Sequence, residues 1–253
     1  MYLLLSLIVI FGAHNALGEE ENYCEIYHCG ETHIACNNDG NLSPDCPLGT
    51  AIVNMTHHEQ FILDLHNAVR NKYAGGVPPL PVAGRMAQMV WCEELAALAE
   101  LNVKKCILEP DACHSTMRAR YSGQNSGMTI YKTSQTITTL AWLIENRFDT
   151  WVREGEWVTM QQIKKYPDIE PALPIGHFTL IINEKNTHVG CAAVRYKEEA
   201  SRIFLFTCNY AAGNIIGKPV YTESNVPGQE CETDTSIQYP NLCEIDEAYD
   251  NTQ

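Results

Sequence analysis

The chain has 253 residues, 11 of them cysteine, and acidic residues outnumber basic ones 31 to 17, a formal charge of −14. This length fits one large domain or two small ones, and so many cysteines argue against a reducing cytosol. A surface this negative repels nucleic acid and anionic lipid headgroups, so neither is expected as a partner.

In chain order, residues 2–11 form a short apolar run, and Ala16-Leu17-Gly18 places small residues where a signal peptidase cuts. Residues 1–18 therefore read as a secretory signal, although no Lys or Arg precedes the run. The run is far shorter than the ~20 residues a membrane span needs, and no later stretch is long and apolar enough either. Residues 19–55 are loop-like and hold Cys24, Cys29, Cys36 and Cys46. A segment so poor in apolar residues builds no core of its own and must be tied covalently to something larger. Two glycosylation sequons, Asn41-Leu42-Ser43 and Asn54-Met55-Thr56, lie here or at its end. Pro44 directly after the first favours Asn54 over Asn41 as acceptor.

Thr56-His57-His58-Glu59 reads as a capping box, followed by the helical stripe Phe61, Leu65, Val69 and Tyr73. Gly75-Gly76 and Pro78-Pro79 end that helix. A second helix is expected over 85–105, with Trp91, Leu95, Leu98 and Leu101 inward. A third is expected over 136–152, with Ile137, Leu140, Ile144, Phe148 and Trp151 inward. The period then changes. Residues 177–182, 189–196 and 202–209 are β-branched and aromatic and are separated by polar turns, so they read as strands. Ile203-Phe204-Leu205-Phe206 is apolar at successive positions, so both faces of that strand are expected to be buried. Helices must then cover both sides of the sheet, which makes a three-layer α/β/α sandwich over 56–222. A C-terminal extension, 223–253, carries Cys231 and Cys243 and ends in an acidic tail. His57, His58 and His188 fall at a helix start and in a turn, where exposure is expected.

The run Gly176-His177-Phe178-Thr179 through Val189-Gly190-Cys191, and the run Leu205-Phe206-Thr207-Cys208-Asn209-Tyr210 through Asn214, resemble the paired signatures of the CAP superfamily. That superfamily holds cysteine-rich secretory proteins, insect antigen-five allergens and plant pathogenesis-related proteins. The opening Tyr23-Cys24, Cys29, His33-Ile34-Ala35-Cys36 and Asp45-Cys46 resemble the N-terminal extension of the antigen-five group. The resemblance spans about residues 23–243 and implies the same three-layer fold. Spacing alone leaves the cysteine pairing open. The resemblance implies Cys24–Cys36, Cys29–Cys113, Cys46–Cys106 and Cys191–Cys208, and the C-terminal pair Cys231–Cys243 resembles one in fly relatives. Cys92 is left over, either as an unpaired thiol in a monomer or as the link in a dimer. The first signature departs from many relatives at Asn183, where they carry Trp.

The resemblance also implies a cleft with two histidines and two acids. Motif by motif these fall on His114, His177 and Glu154, while the second acid is replaced by Gln124 in Gly123-Gln124-Asn125. Gln has no titratable proton and cannot act as a base, though it can hold a ligand or water by hydrogen bonds. Two neutral imidazoles, His114 and His177, could hold zinc or another divalent ion with positions left open. Without a firm carboxylate such a site is weaker than a three-ligand catalytic centre. The competing reading is a hydrolase, with His177 as base, Ser115 or Ser122 as nucleophile and Glu154 orienting His177. No Gly-x-Ser-x-Gly or His-Glu-x-x-His motif supports it. The expected function is thus a secreted, non-enzymatic binding protein with no required cofactor. Its partner would be a lipid or sterol, a divalent metal or a protein. Arg-Gly-Asp, which integrin-engaging relatives carry, is absent; Arg153-Glu154-Gly155 does not replace it.

Overall fold

The computed structural model describes residues 22–26, 28–132, 139–168 and 173–251. The expected signal segment 1–18 and Ile137 lie outside them. The central sheet is built on a long antiparallel pair, β5 (His188–Glu198) and β6 (Ser201–Tyr210). β4 (Gly123–Lys132) joins the outer side of β6, and β1 (Ala51–Ile52) and the parallel β3 (Val90–Trp91) flank β5.

Side chains on β5 and β6 alternate between two cores, as a period of two demands. Phe204, Phe206, Cys208 and Tyr210 pack into one cluster with helix residues Ile62, Leu143, Ile144, Phe148 and Trp151. Ile203, Leu205, Val194 and Tyr196 pack into another with Ala99 and Val103. All four residues from Ile203 to Phe206 are buried. One face is covered by α1 (Glu59–Ala74), α3 (Leu140–Val152) and α5 (Gly176–Ile181), the other by α2 (Glu93–Val103). Helices on both faces of the sheet are the three-layer arrangement. The remaining elements are the short pair β2 (Val82–Ala83) and β7 (Glu223–Ser224), one helical turn and a half in α4 (Met160–Lys164), and 3-10 turns at Tyr23–Glu25, Gly30–Thr32 and Arg153–Trp157, the last of which carries Glu154.

The structure departs from the sequence reading at several elements. The capping box does not form. The Thr56 N–H is taken by the Asn54 side chain at 2.9 Å, and α1 begins at Glu59 with His58 as an N-cap that makes no side-chain bond. The second helix is shorter than expected, because residues 85–92 are extended. Their backbone groups pair with Cys243, Thr187 and Val189, and this tertiary pairing overrides local helix propensity. The third helix starts at Leu140, where the Thr139 hydroxyl caps the Trp142 N–H at 3.1 Å. The expected strand over 177–182 is helical, as α5. β4 falls in a stretch that reads as no element at all; its ladder to β6 stabilises it despite Gly, Gln, Asn and Ser. Glycine at 190 is what lets α2 sit close on β5. A Cβ there would overlap backbone of Cys92, Leu95 and Ala96. Gly190→Ala is expected to cost about 1–3 kcal/mol by overpacking, read as a lower urea midpoint.

The buried face of α1 is partly polar. His66, Asn67 and Arg70 are 0 to 2 % exposed, whereas Phe61, Leu65 and Val69 of the expected stripe are only partly buried. Asn67 holds Met89 by both its amide groups, at 2.8 and 3.0 Å. Positions 62, 66, 70 and 73 share a helical face by spacing alone, so the signal for this face is present but is hidden by the apolar residues beside it.

Five disulfides are formed: Cys24–Cys36, Cys29–Cys113, Cys46–Cys106, Cys191–Cys208 and Cys231–Cys243. They are the pairs that the resemblance implies, and Cys191 and Cys208 face each other across the β5–β6 ladder. Each is worth roughly 2–4 kcal/mol through the unfolded chain. Cys92 is the N-cap of α2, partly buried and free. The C-terminal segment is docked by Arg85, which pairs with the buried Glu247 and with Glu232 and lies over the Tyr249 ring. No helix of the described residues is long and apolar enough to cross a membrane.

Candidate functional site

His177 stands at the first turn of α5, and Glu154 anchors it. The Glu154 carboxylate accepts from the His177 ring Nδ1 at 2.6 Å, from the His177 backbone N–H at 2.8 Å and from the Phe178 N–H at 3.1 Å. One carboxylate therefore caps the helix start and orients the imidazole. With Nδ1–H donating to Glu154, Nε2 is the nitrogen left for the cavity. Trp151 stacks on the His177 ring, with centroids 5.8 Å apart and planes 10° apart, and Phe206 stacks on Trp151 in turn. The ring is thus clamped from α3 and β6 but keeps 37 % of its side chain exposed.

The cavity that His177 faces measures about 380 Å³ and is also lined by Ser122, Gln124, Asn125, Leu180 and Asn214. Gln124 is fully engaged. Its amide donates to Asp111 at 2.7 Å and to Asn209 at 2.9 Å, and its carbonyl accepts from the Asp111 N–H at 3.0 Å. Asp111 has a side chain closed to solvent and also holds Lys105 and Asn102. The hydroxyls are spent as well. Ser115 donates to the Arg120 carbonyl at 2.7 Å, and Ser122 lies 3.5 Å from Ser115.

His114 does not line this cavity. Its ring is buried against the backbone of Ser122 and Gly123, whose polar groups favour its protonation, although neither nitrogen makes a hydrogen bond of ordinary geometry. Burial pushes its pKa below the ordinary histidine value, against the nearby Asp111 charge. Beside it, the N-terminal extension packs through Cys29–Cys113 and through His33, whose Nε2 is 2.7 Å from the Ser115 carbonyl. The structure thus brings Gln124, Glu154 and His177 together and sets His114 behind the cavity wall. Two other groupings of metal-ligating types, His28 with Cys29 and Cys113, and Glu247 with Cys231 and Cys243, use bridged cysteines and offer no thiolate. His57 and His188 are exposed and His58 is partly buried.

Sequence reasoning missed the groups behind the cleft. His66 Nδ1 is 2.8 Å from the Ile62 carbonyl, and its Nε2 is 2.9 Å from the Tyr210 hydroxyl. Asn125 donates to that hydroxyl at 3.3 Å and to the His177 carbonyl at 3.1 Å. A buried hydrogen-bond chain therefore runs from α1 to the cleft histidine.

The family model for CAP, the cysteine-rich secretory protein family, matches residues 63–210, more than half of the chain. The chain belongs to the cysteine-rich secretory protein family. Among curated proteins it is 34% identical over 226 residues to Venom allergen-1 of Aedes albopictus, covering 88% of this chain and 87% of that protein. It is 39% identical over 166 residues to Antigen 5 like allergen Cul n 1 of Culicoides nubeculosus, covering 65% and 74%. It is 30% identical over 260 residues to Tabinhibitin 2 of Tabanus yao, covering 100% and 96%. Among solved structures, NaASP2 with Zn2+ aligns at a TM-score of 0.57 and 24% identity, over 78% of this chain and 99% of that one. That likeness supports the CAP fold, with its helices on both sides of the sheet.

Proposed function

We propose that this CAP protein is a secreted, non-enzymatic binding protein of the venom-allergen type, and that its cleft at His177 receives a ligand without turning it over. One observation carries the reading: His177, oriented by Glu154 with Nε2 toward the cavity, has, among the described residues, no nucleophile and no second acid beside it. The Ser115 hydroxyl donates to the Arg120 carbonyl, that of Ser122 to Ser115, and Gln124, held by Asp111 and Asn209, stands where the second acid would be. Among the described residues, no hydroxyl is bonded to His177 for activation. The division into an extension over 19–55, a CAP domain over 56–222 and a C-terminal extension over 223–253 belongs to this reading. So do secretion after removal of residues 1–18 and glycans on Asn54 and Asn41, both of which are exposed.

A divalent ion fits part of this donor set. His177 offers Nε2 and is oriented by a carboxylate, as metal-bound histidines are. His114 is buried and held in its neutral form, but it lies behind the cavity wall, so His177 is the histidine that the cavity itself offers to an ion. A bound zinc ion would supply open coordination positions for a ligand's polar head. That NaASP2 was solved with Zn2+ supports this reading. With Gln124 in place of an acid, binding is expected to be weak.

Equilibrium dialysis against zinc, run beside peptide and ester hydrolysis assays, tests both parts. The expected result is saturable zinc binding, at least tenfold weaker in His177→Ala, and no hydrolysis above buffer. Turnover that disappears in His177→Ala would establish the hydrolase instead. Zinc binding that His177→Ala leaves unchanged would remove the ion from the cleft. A non-reducing gel in the same series separates a monomer from a Cys92-linked dimer.

A further inference from the structure

A groove of about 330 Å³ lies between α2 and the segment that leads into α1, and it shares no residue with the cavity at His177. The segment is held to the sheet by the Val53 N–H, which donates to the Ala193 carbonyl at 2.9 Å. Along α2, Glu93, Ala96, Ala97 and Glu100 line the groove at the three- and four-residue spacing of one helix face. The alanines leave room in the middle of that face, and the carboxylates stand at its ends. Trp91 of β3 and Glu59 of the first turn of α1 also line it.

Asn54, which opens the sequon Asn54-Met55-Thr56, is exposed and is itself part of the groove wall. Its side-chain oxygen accepts from the Thr56 N–H at 2.9 Å. Among the described residues, its Nδ2, the atom that an N-linked sugar takes, is in no hydrogen bond. Asn41 does not line this groove. The charge of the lining is of one sign. No Lys or Arg lines it, and among the described residues Glu59 and Glu93 are in no ion pair, while Glu100 pairs with Lys104. Such walls repel a carboxylate or a phosphate. Ionised carboxylates only accept hydrogen bonds, so they match a neutral ligand rich in O–H and N–H donors. The indole of Trp91 offers apolar surface to the C–H face of a sugar ring.

We propose that this groove seats the first sugars of a glycan carried by Asn54, with their apolar faces toward Trp91 and Ala97 and their hydroxyl and amide donors toward Glu59 and Glu93. The proposal rests on the reading that Asn54 is glycosylated. Attachment at the groove wall makes the contact intramolecular, with an effective concentration on the order of millimolar. Contacts too weak to hold a free sugar are therefore populated. A seated glycan covers the junction of α1, α2 and β3 and leaves the His177 cleft open, because the two spaces share no residue.

The test uses the full secreted chain carrying Asn41→Gln, made in cells whose mannose trimming is blocked, so that any N-glycan is a high-mannose chain on Asn54. Endoglycosidase H cuts between the first two sugars and has to reach them. Cleavage of the folded chain is expected to be at least tenfold slower than in a chain that also carries Ala97→Trp, which fills the groove from an exposed helix position. It is also expected to be slower than in Glu59→Ala/Glu93→Ala, which removes the two unpaired acceptors and leaves the groove open. Unfolded in detergent, all three chains are expected to be cut at one rate, and unchanged far-UV spectra would confirm that the variants fold. A glycopeptide mass spectrum separates the two ways of failing. Asn54 without a glycan overturns both the glycosylation reading and the seat. A glycan on Asn54 that is cut as fast in the folded parent chain as in either variant overturns the seat alone.

Discussion

Arg70→Met is expected to lower folding stability by about 3–5 kcal/mol, because buried carbonyls that the guanidinium satisfies are left without a donor. Arg70 is 0 % exposed, and among the described residues it has no carboxylate within ion-pair distance, although the nearby Glu184 charge favours its protonation. It donates instead to backbone carbonyls: twice to Ala87 (3.0 and 2.6 Å), and once each to Ile181 (2.8 Å), Asn183 (2.7 Å) and Glu184 (3.4 Å). Three of these acceptors lie at or just past the C-terminal end of α5, where carbonyls have no helical partner and a cation is favoured. The fourth is in the extended segment before β3. Arg70 therefore joins α1, the end of the cleft helix and the segment leading into the sheet edge.

Burial lowers its pKa to about 10, so it remains charged at neutral pH. Methionine fills similar space but leaves the Ala87 and Ile181 carbonyls buried without this donor, at roughly 1–3 kcal/mol each before relaxation, while Asn183 keeps the Asn186 N–H at 3.1 Å. Lysine keeps the charge but not the planar fork, so Arg70→Lys is expected to fall between the two. Urea unfolding with a constant m-value measures this. A methionine variant within about 1 kcal/mol of the wild type would mean that the carbonyls find other partners.

Stability is also expected to fall by about 3 kcal/mol as pH drops from about 6.5 to about 4, through His66 alone. Burial is the largest cause and holds the His66 pKa down to about 4, and the Arg70 charge adds to it; only the Ile62 carbonyl favours protonation. The unfolded chain titrates near 6.5 and so binds the proton first as pH falls. A depressed folded pKa therefore gives stability that is complete above about pH 6.5 and is lost progressively on the way down to about 4. The groups around the ring agree. Nδ1 faces the Ile62 carbonyl and must carry its proton, so Nε2 accepts from the Tyr210 hydroxyl. That hydroxyl already accepts from Asn125. Protonating Nε2 sets donor against donor and turns the tyrosine proton toward no acceptor, while Phe148 packs on the imidazole at 4.6 Å.

His66→Gln is expected to be less stable at about pH 7 and to show a much flatter slope between about pH 6.5 and 4.5. Its measurement is the urea midpoint at the two ends of that range. His114, lowered by burial, and His188, whose residue is exposed but whose ring is partly shielded and faces the Arg118 charge, act in the same direction and set the residual slope. An undiminished slope in His66→Gln would assign the acid sensitivity to them.

The alternation in β5 and β6 was legible because a strand buried on both faces has to be apolar at every position. The cysteines of the extension were legible because a loop without a core needs covalent ties. The cleft residues His177, Glu154 and Gln124 could be named only through their family motifs, since nothing local says that Glu154 reaches α5. That contact also explains the error at 177–182, where β-branched and aromatic residues favour a strand. A carboxylate from 23 positions upstream satisfies two N–H groups at the helix start and tips the segment into a helix. The extended run at 85–92 and β4 have similar causes, because their backbone partners are distant in sequence.

The sequence by itself determined the layered sheet and the need for covalent ties in the N-terminal extension, and family motifs named His177, Glu154 and Gln124. The tertiary structure alone decided that His114 lies behind the cavity and that His66, Asn67 and Arg70 turn a polar helix face inward. The physical reason is range: apolar periodicity is written within a few residues, whereas a buried polar group or a cavity wall depends on partners that only the folded chain brings within about 3–4 Å.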